Sequence, residues 1–453
     1  MSETGGPSGK PRGGYWIATW GCQMNVHDSE KLAGALVEQG YVPASAPDQA
    51  DVVLLNTCSI REKAAEKVFS ELGRLKPLKE QRPGMVLGVC GCVAQQEGEA
   101  IFKRAPYVDL VMGTRATATL PRVLPRLRTG EASGTCDTAI RDDSIRFPFD
   151  RIRREGETTG KAYVTVVEGC NHRCTYCVVP RTRGPEVSRP MEDVLAEVRS
   201  LAARRVVEIE FLGQTVNAYR DREGRTLADL LLAAATVPGV ERVRFTTSHP
   251  AQMTDRLMDA MQAASPIVCP YLHLPVQSGS SRVLQSMRRG YDRDGYLAKI
   301  DALRRRIPGI SLGTDVIVGY PTEAEEDFRH TLSLLDEVGF DTLYAFAYSP
   351  RPATAALALG DPVGQSEKLD RLARLQSHQR AIQQRAAQRW VGQEVEVLVE
   401  GPSKMEASSW TGRTPHGRRV NFQANTTPGK RERVRVLSAS AYSLRGAPAP
   451  APA

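Results

Sequence analysis

The sequence predicts an α/β protein in three parts: a doubly wound N-terminal α/β domain, a longer second series of βα units, and a small C-terminal β-barrel of OB-like type. Three observations predict it. Between Tyr15 and about Arg128, short apolar runs alternate with helical stretches, and from Lys161 to Tyr348 the alternation starts again. After Val391 the apolar period drops to two. Strand–helix alternation builds parallel sheets, and strict period-two runs build antiparallel or barrel strands.

In the first part, Tyr15–Trp20, Val52–Asn56, Val86–Val89 and Val108–Met112 read as buried parallel strands. Asn25–Gln39, Arg61–Lys76 and Ala94–Arg104 read as the helices between them. Cys22, Cys58 and Cys92 each directly follow one of the first three strands, at spacings of 36 and 34 residues (58 − 22; 92 − 58). Parallel strands end at one edge of their sheet, so the topology is expected to gather these thiols. Three thiolates there suit an iron–sulfur cube with one open iron. The plain alternative is three buried free thiols. Cys90 and Cys136 read as structural. Glu131–Gly160 is polar and Gly- and Thr-rich, a linker with room for a short edge strand.

In the second part the strands are expected at Ala162–Val167, Val207–Leu212, Val243–Thr247, Tyr271–Leu274, Gly313–Val318 and Leu343–Tyr348. Helices are expected at Met191–Arg204, Leu227–Ala235, Asp255–Ala263, Ser281–Met287, Asp294–Arg306 and Glu323–Val338. Six units are too few to close an eight-stranded barrel. Directly after the first of these strands, Cys170, Cys174 and Cys177 form C-x3-C-x2-C. Three close thiolates hold either a 4Fe–4S cube with a vacant iron or, together with His172, a zinc ion. Polar motifs close several of the later strands, and Gln214, Asn217, Ser248 and Gln277 fall in them. Loops at the C-terminal ends of parallel strands line the pocket, so these four are candidate cofactor contacts. His249 and His273 are not expected to act as metal ligands.

A polar helix follows at Ser366–Trp390, carrying Lys368, Arg371, Arg374, Arg380, Arg385 and Arg389, and most of these charges are expected on a solvated face. The third part shows alternating strands at Val395–Gly401, up to Arg418–Phe422, and at Arg433–Leu437. Arg418, Arg419, Lys430, Arg431, Arg433 and Arg435 crowd here, an electrostatic footprint that suits a nucleic acid.

Composition sets outer limits. The chain has 453 residues, 60 Lys and Arg against 52 Asp and Glu, and a formal charge of +8. No run of about 18 apolar residues occurs, so no membrane span is expected. Nine cysteines, an odd number and clustered, favour metal over disulfides and a reducing, cytoplasmic setting. The expected divisions are a disordered tail at 1–13, domains at 14–130, 156–390 and 391–440 with a linker at 131–155, and a disordered tail at 441–453.

C-x3-C-x2-C with Tyr176 just before its last cysteine is similar to the signature of radical S-adenosylmethionine enzymes. TWGCQMN (Thr19–Asn25), NTCSIRE (Asn56–Glu62) and GCVAQ (Gly91–Gln95) resemble the N-terminal domain of the methylthiotransferases within that family. The C-terminal stretch resembles a TRAM domain. The resemblance covers nearly the whole chain and implies a partial, laterally open (β/α)6 barrel. It implies two 4Fe–4S clusters, on Cys170/Cys174/Cys177 and on Cys22/Cys58/Cys92, with S-adenosylmethionine on the open iron of the first and Tyr176 among its contacts. It also implies a tRNA anticodon stem–loop as substrate, bound through the six basic residues above, and a low-potential electron donor. The enzyme is expected to be a monomer. The QMN wording points to the branch that methylthiolates N6-isopentenyladenosine at position 37. The rival expectations are the sister branch acting on an aspartate of ribosomal protein S12, the methylthiotransferase branch acting on threonylcarbamoyladenosine at tRNA position 37, and a zinc-containing RNA-binding protein without activity. The stretch Ser349–Leu357, SPRPATAAL, departs from the family's SPRPGTPA, which is expected to loosen a turn.

Overall fold

The computed structural model describes residues 11–58, 62–141, 160–403 and 408–450, without the side chains of 62–65. The chain forms two compact units. The first takes in Met1–Arg154, Glu168–Asn171 and Val179–Val187, and the second Glu155–Val167, His172–Val178 and Ser188–Ala453.

The first unit runs β1 (Gly13–Trp20), α1 (Gln23–Glu38), β2 (Tyr41–Pro43), β3 (Val52–Thr57), α2 (Glu62–Gln81), β4 (Val86–Gly91), α3 (Cys92–Glu97), α4 (Ala100–Arg104), β5 (Leu110–Met112), α5 (Leu120–Arg128) and β6 (Thr135–Asp137). All ladders are parallel, in the order β2-β1-β3-β4-β5-β6. Alternation along the strands feeds two cores. Val53, Leu55, Leu87 and Val89 pack with Val68 and Leu72 on one face, while Val52, Leu54 and Val86 pack with Leu32, Leu36 and Leu120 on the other. Burial on both faces is why these strands read as continuous apolar runs. The doubly wound expectation holds. The single helix expected over 94–104 is two helices broken at Gly98. β2, three residues long, is too short for a sequence period to register, and β6 is the short edge strand for which the linker stretch had room. Arg61, the expected start of the second helix, lies outside the described residues.

The second unit has the six expected parallel strands: Lys161–Thr165, Glu208–Leu212, Arg242–Phe245, Tyr271–His273, Ser311–Val318 and Thr342–Ala347. They pair in two runs of three, with single parallel bridges at Val243–Val268 and Gln277–Val316. Among the described residues the first and last strands pair on one side only, so the barrel is partial and open. Ile209, Phe211, Val243, Phe245, Leu272, Leu312 and Val316 face the helices in one continuous core. The alternate positions of the first three strands carry a buried ionic layer. Lys161 meets Glu210 at 2.6 Å, and Arg244 meets Glu208 at 3.0 Å.

Along the helix Gln365–Gln388 and its C-cap residue, Arg374, Arg380, Arg385 and Arg389 are exposed, as expected for most of its charges, while Lys368 and Arg371 are buried, and Arg371 pairs with Glu323 at 2.7 Å. They share a stripe with Leu375, Gln379 and Ile382, and the carboxylate makes burial of the arginine tolerable. Ala353 corrects one expectation. It stands in the left-handed region at φ +60°, where the family has glycine, so the turn is strained rather than loosened.

The C-terminal strands Glu394–Pro402, Trp410–Arg413, Arg419–Phe422, Arg431–Ala439 and Leu444–Pro448 close a five-stranded barrel around Val397, Val399, Val420, Phe422, Val434 and Val436. The last of these strands lies within 441–453, expected as a disordered tail. Leu444–Pro448 instead pairs on both sides and completes the barrel, and 451–453 lie outside the described residues. The barrel is clamped to the rest of its unit by ions. Arg242 bonds Glu396 at 2.7 Å, and Arg244 donates to the carbonyls of Thr414 and Pro415 at 2.7 and 2.8 Å.

Candidate metal centres and cofactor pocket

In the first unit the three expected thiols come together. β1, β3 and β4 are neighbours in the sheet and end in register, Trp20 opposite Thr57 and Thr57 opposite Gly91. Cys22, Cys58 and Cys92 follow within two residues. This is the switch point where the chain reverses its direction across the sheet, the usual ligand position in such folds. The Cys58 thiol shares hydrogen bonds with both Cys22 and Cys92. Cys22 caps the N-terminus of α1, and Cys92 is the first residue of α3. Contact with Cys58 lowers the Cys22 thiol to about 6 against the opposing effect of burial, with Arg183 and the backbone N–H groups of Asn25 and Met24 adding to it. Contact with Cys58 likewise lowers Cys92 to about 7 against burial, helped by Arg183. The Cys58 thiol is pushed up by the same two contacts. Depressed thiols at helix starts are ready thiolate ligands. The expectation of three unrelated buried thiols does not describe this arrangement.

Sequence reasoning missed the frame that holds these loops. Asn25 and Asn56 are fully buried. The Cys22 thiol donates to Asn25 Oδ1 at 3.4 Å, and Asn25 Nδ2 donates to Asn56 Oδ1 at 3.2 Å. Asn56 Nδ2 donates to the Asn25 carbonyl and to Ser29 Oγ, both at 2.8 Å. Gly91, at φ +86°, leaves room for that amide, since a Cβ would lie 2.3 Å from Asn56 Oδ1. The QMN and NTC motifs held the signal, but the pairing spans 31 residues.

The trio is not a preformed single-ion site. Among the described residues, Cys22, Cys58 and Cys92 do not all bring their sulfurs within 4.8 Å of one another. Tetrahedral Zn–S bonds of about 2.3 Å would set thiolates about 3.8 Å apart. The trio is wider than that, with two of its thiols, Cys22 and Cys92, depressed and Cys58 raised between them. Cys90 is fully buried, and burial pushes its thiol up to about 12, as expected for a structural residue. Burial also raises Cys136.

Cys170, in the same unit, is buried and donates its N–H to the Gly184 carbonyl at 3.2 Å. Gly169 before it allows close approach, since a Cβ there would lie 2.1 Å from the Pro185 carbonyl oxygen.

In the second unit, Cys174 and Cys177 are half-buried at a turn closed by Cys177 N–H to the Cys174 carbonyl at 3.1 Å. Thr175 pins that turn: its hydroxyl meets the Tyr320 hydroxyl at 2.8 Å, and its carbonyl accepts from Ala356 N–H at 2.8 Å. Tyr176 is half-buried against Met287, Tyr320 and Tyr348. Arg289, another residue missed from sequence, donates to Cys174 Sγ at 3.3 Å, to the Pro275 carbonyl and to the Tyr291 hydroxyl.

The four cofactor candidates separate. Gln277 is buried at φ +74°, its N–H tied to the Asp315 carbonyl at 2.8 Å. Ser248 is buried, and among the described residues its hydroxyl has no hydrogen-bond partner. Gln214 is half-buried. Asn217 is tied to the backbone of the next strand-end loop. Both ends of its amide bind the His249 backbone, at 2.9 and 2.8 Å, so it braces the Ser248–His249 loop. His249 stacks on His172 with centroids 3.8 Å apart. Burial, then Arg289 and His172, lowers His249 to about 2, which keeps the ring neutral. His273 is hydrogen-bonded to Asp315 at 2.8 Å.

The basic residues also separate. Arg419, Lys430, Arg431, Arg433 and Arg435 are exposed, Arg431 pairing with Glu241 and Glu396 and Arg433 with Glu394. Arg418 is corrected: it is buried, with its guanidinium on Asp341 at 2.6 Å, and it has no surface to offer a phosphate.

Family models match at 14–113 (Uncharacterized protein family UPF0004), 164–335 (Radical SAM superfamily) and 388–448 (TRAM domain). The chain is 46% identical over 449 residues to the tRNA-2-methylthio-N(6)-dimethylallyladenosine synthase of Solibacter usitatus, covering 98% of each. It is 47% identical over 443 residues to the protein of that name from Aromatoleum aromaticum, covering 95% of this chain and 98% of the relative. For the Bordetella petrii protein of that name the identity is 49% over 422 residues, covering 90% and 85%. Among solved structures, the radical S-adenosylmethionine methyltransferase TsrM from Kitasatospora setae matches in fold with TM-score 0.58 at 13% identity, covering 76% of this chain and 77% of its own. The cobalamin-dependent radical enzyme OxsB matches with TM-score 0.54 at 13% identity, covering 80% and 56%. With this identity to its relatives along almost its whole length, the chain belongs to the tRNA-2-methylthio-N(6)-dimethylallyladenosine synthase family of radical S-adenosylmethionine proteins.

Proposed function

We propose that this chain is a tRNA methylthiotransferase that converts N6-isopentenyladenosine at position 37 to its 2-methylthio derivative. The observation that carries the reading is the convergence of Cys22, Cys58 and Cys92 in a chain that also has C-x3-C-x2-C. C2 of adenine has neither an acidic proton nor a leaving group, so general acid–base catalysis cannot functionalise it. A 4Fe–4S cluster with S-adenosylmethionine supplies one-electron chemistry able to do so.

The residues divide that work. Cys170, Cys174 and Cys177 hold the cluster that binds S-adenosylmethionine, and Cys22, Cys58 and Cys92 hold a second 4Fe–4S cluster that handles sulfur. Arg289 places a buried cation on Cys174, balancing thiolate charge. The Ser248 hydroxyl, Gln277, Gln214 and Tyr176 orient the cofactor. Asn217 fixes the loop from which Ser248 points. Neutral His249 and His172 form a stacked wall and take no part in proton transfer. Arg419, Lys430, Arg431, Arg433 and Arg435 contact phosphates of the anticodon stem–loop, whose unpaired base 37 is cheap to splay out. The enzyme acts as a monomer in the cytoplasm with a low-potential protein electron donor.

The test is reconstituted enzyme with S-adenosylmethionine, reductant and a sulfide source, offered an anticodon stem–loop bearing N6-isopentenyladenosine. Mass spectrometry should show 2-methylthio-N6-isopentenyladenosine. Modification of ribosomal protein S12 with the stem–loop untouched would overturn the reading.

A further inference from the structure

Arg183 lies in the segment directly after the C-x3-C-x2-C cysteines, yet this segment belongs to the compact unit that carries Cys22, Cys58 and Cys92. Its side chain is 2% exposed. Nη2 donates to Asp28 Oδ2 at 2.7 Å, on α1 six residues past Cys22. Nη1 is buried and, among the described residues, has no hydrogen-bond partner. The guanidinium is close enough to act on both the Cys22 and Cys92 thiols. Asp28 is also 3.8 Å from Lys31, which bonds Glu168 at 2.9 Å, and Arg115 donates to the Glu168 carbonyl at 3.3 Å. Among the described residues this connected group joins Lys31, Arg115 and Arg183 to Asp28 and Glu168.

A buried guanidinium with an idle N–H is expensive unless something anionic answers it. Three thiolates on a 4Fe–4S core of charge 2+ carry a net single negative charge when oxidised and a double one when reduced. The Nη1 edge of Arg183, unpartnered among the described residues, complements that anion. Hydrogen bonds and positive charge at cluster sulfurs favour the reduced form.

We propose that Arg183 is the positioning residue that sets the charge environment of the N-terminal cluster: Asp28 clamps one edge of its guanidinium, and the other edge, Nη1, is kept for the ligand sulfurs. The inference rests on the reading that Cys22, Cys58 and Cys92 hold a 4Fe–4S cluster. Reduction adds one electron, supplied by dithionite in the test.

The experiment uses the full chain with Cys174→Ala and Cys177→Ala, so that only the N-terminal cluster forms, and follows its reduction by electron paramagnetic resonance during dithionite titration. Arg183→Met should disfavour reduction at least tenfold, a midpoint lower by 59 mV or more for one electron. Arg183→Lys keeps the charge but has no second nitrogen, and should fall between. Iron at parental level with an unmoved midpoint in both variants overturns the assignment to Arg183. Absence of iron from the parental chain overturns the cluster reading instead. If Arg183→Met does not fold, Arg183→Lys alone decides: a lowered midpoint supports the proposal, and an unchanged one overturns it.

Discussion

Replacing Asn56 with alanine tests how the N-terminal thiols are held together. Asn56 makes three buried hydrogen bonds: it donates to the Asn25 carbonyl and to Ser29 Oγ, each at 2.8 Å, and accepts from Asn25 Nδ2 at 3.2 Å. Each contributes a net ~1 kcal/mol, so the alanine variant loses about 3 kcal/mol locally. In free-energy terms that is on the order of 100-fold in the local opening equilibrium. The sensitive amides are those that close the cysteine loops: Cys58 N–H to the Trp20 carbonyl at 2.9 Å, and Asn25 and Val26 N–H to the Cys22 carbonyl at 3.0 and 3.2 Å. Hydrogen exchange of the metal-free chain should show these amides exchanging on the order of 100-fold faster, with β5 and β6 unaltered. Loss of the frame should also lower iron uptake by the Cys22/Cys58/Cys92 trio. Unchanged exchange at these amides with full iron uptake would refute the argument that the asparagine pair sets the loops.

The remaining predictions concern the second unit. Asp341 holds buried Arg418 at 2.6 Å and Arg389 at 2.9 Å. Asp341→Ala strands the buried cation at a cost of about 3–5 kcal/mol, and limited proteolysis near 389–393 should accelerate; an unchanged cleavage rate would contradict the clamp. Glu208 is lowered to about 2: burial would raise it, but Arg244, Lys161 and Arg242 together more than reverse that. Its stabilising contribution is therefore complete above its ordinary value near 4.5 and is lost as pH falls toward 2. Glu208→Gln should flatten the acid limb of the second unit's stability curve by ~3 kcal/mol at most. An acid limb identical to that of the unaltered chain would argue against the network. Ala353→Gly relieves a left-handed alanine and should raise the denaturant midpoint of the second unit by about 1 kcal/mol equivalent; a lowered midpoint would show that the strain is compensated.

The cysteine centres were legible because a strand's end is legible. Cys22, Cys58 and Cys92 each close an apolar run, and parallel topology does the rest. The frame around them was not legible, because Asn25 and Asn56 look like ordinary loop polars until β1 and β3 are neighbours. The positive charges illustrate the same limit. Arg418 and Arg419 adjoin in sequence, but only one faces water, and the partner that buries the other, Asp341, is 77 residues away. Lys368 and Arg371 were readable in principle, since their three-residue spacing continues to Leu375, Gln379 and Ile382 on a single helical stripe. Charge count hid that periodicity. Asn217 and Ser248 both read as polar loop residues at a strand end. The backbone of His249 claims one amide, while the other residue's hydroxyl has no partner among the described residues, and no local pattern separates the two.

The central claim is that two separate thiol trios each hold a cluster. The direct measurement is iron and acid-labile sulfide per chain after anaerobic reconstitution, with and without Cys58→Ala. Two cubes predict about eight irons for the unaltered chain and about four for the variant. About four irons in both, or zinc in place of iron, would contradict it.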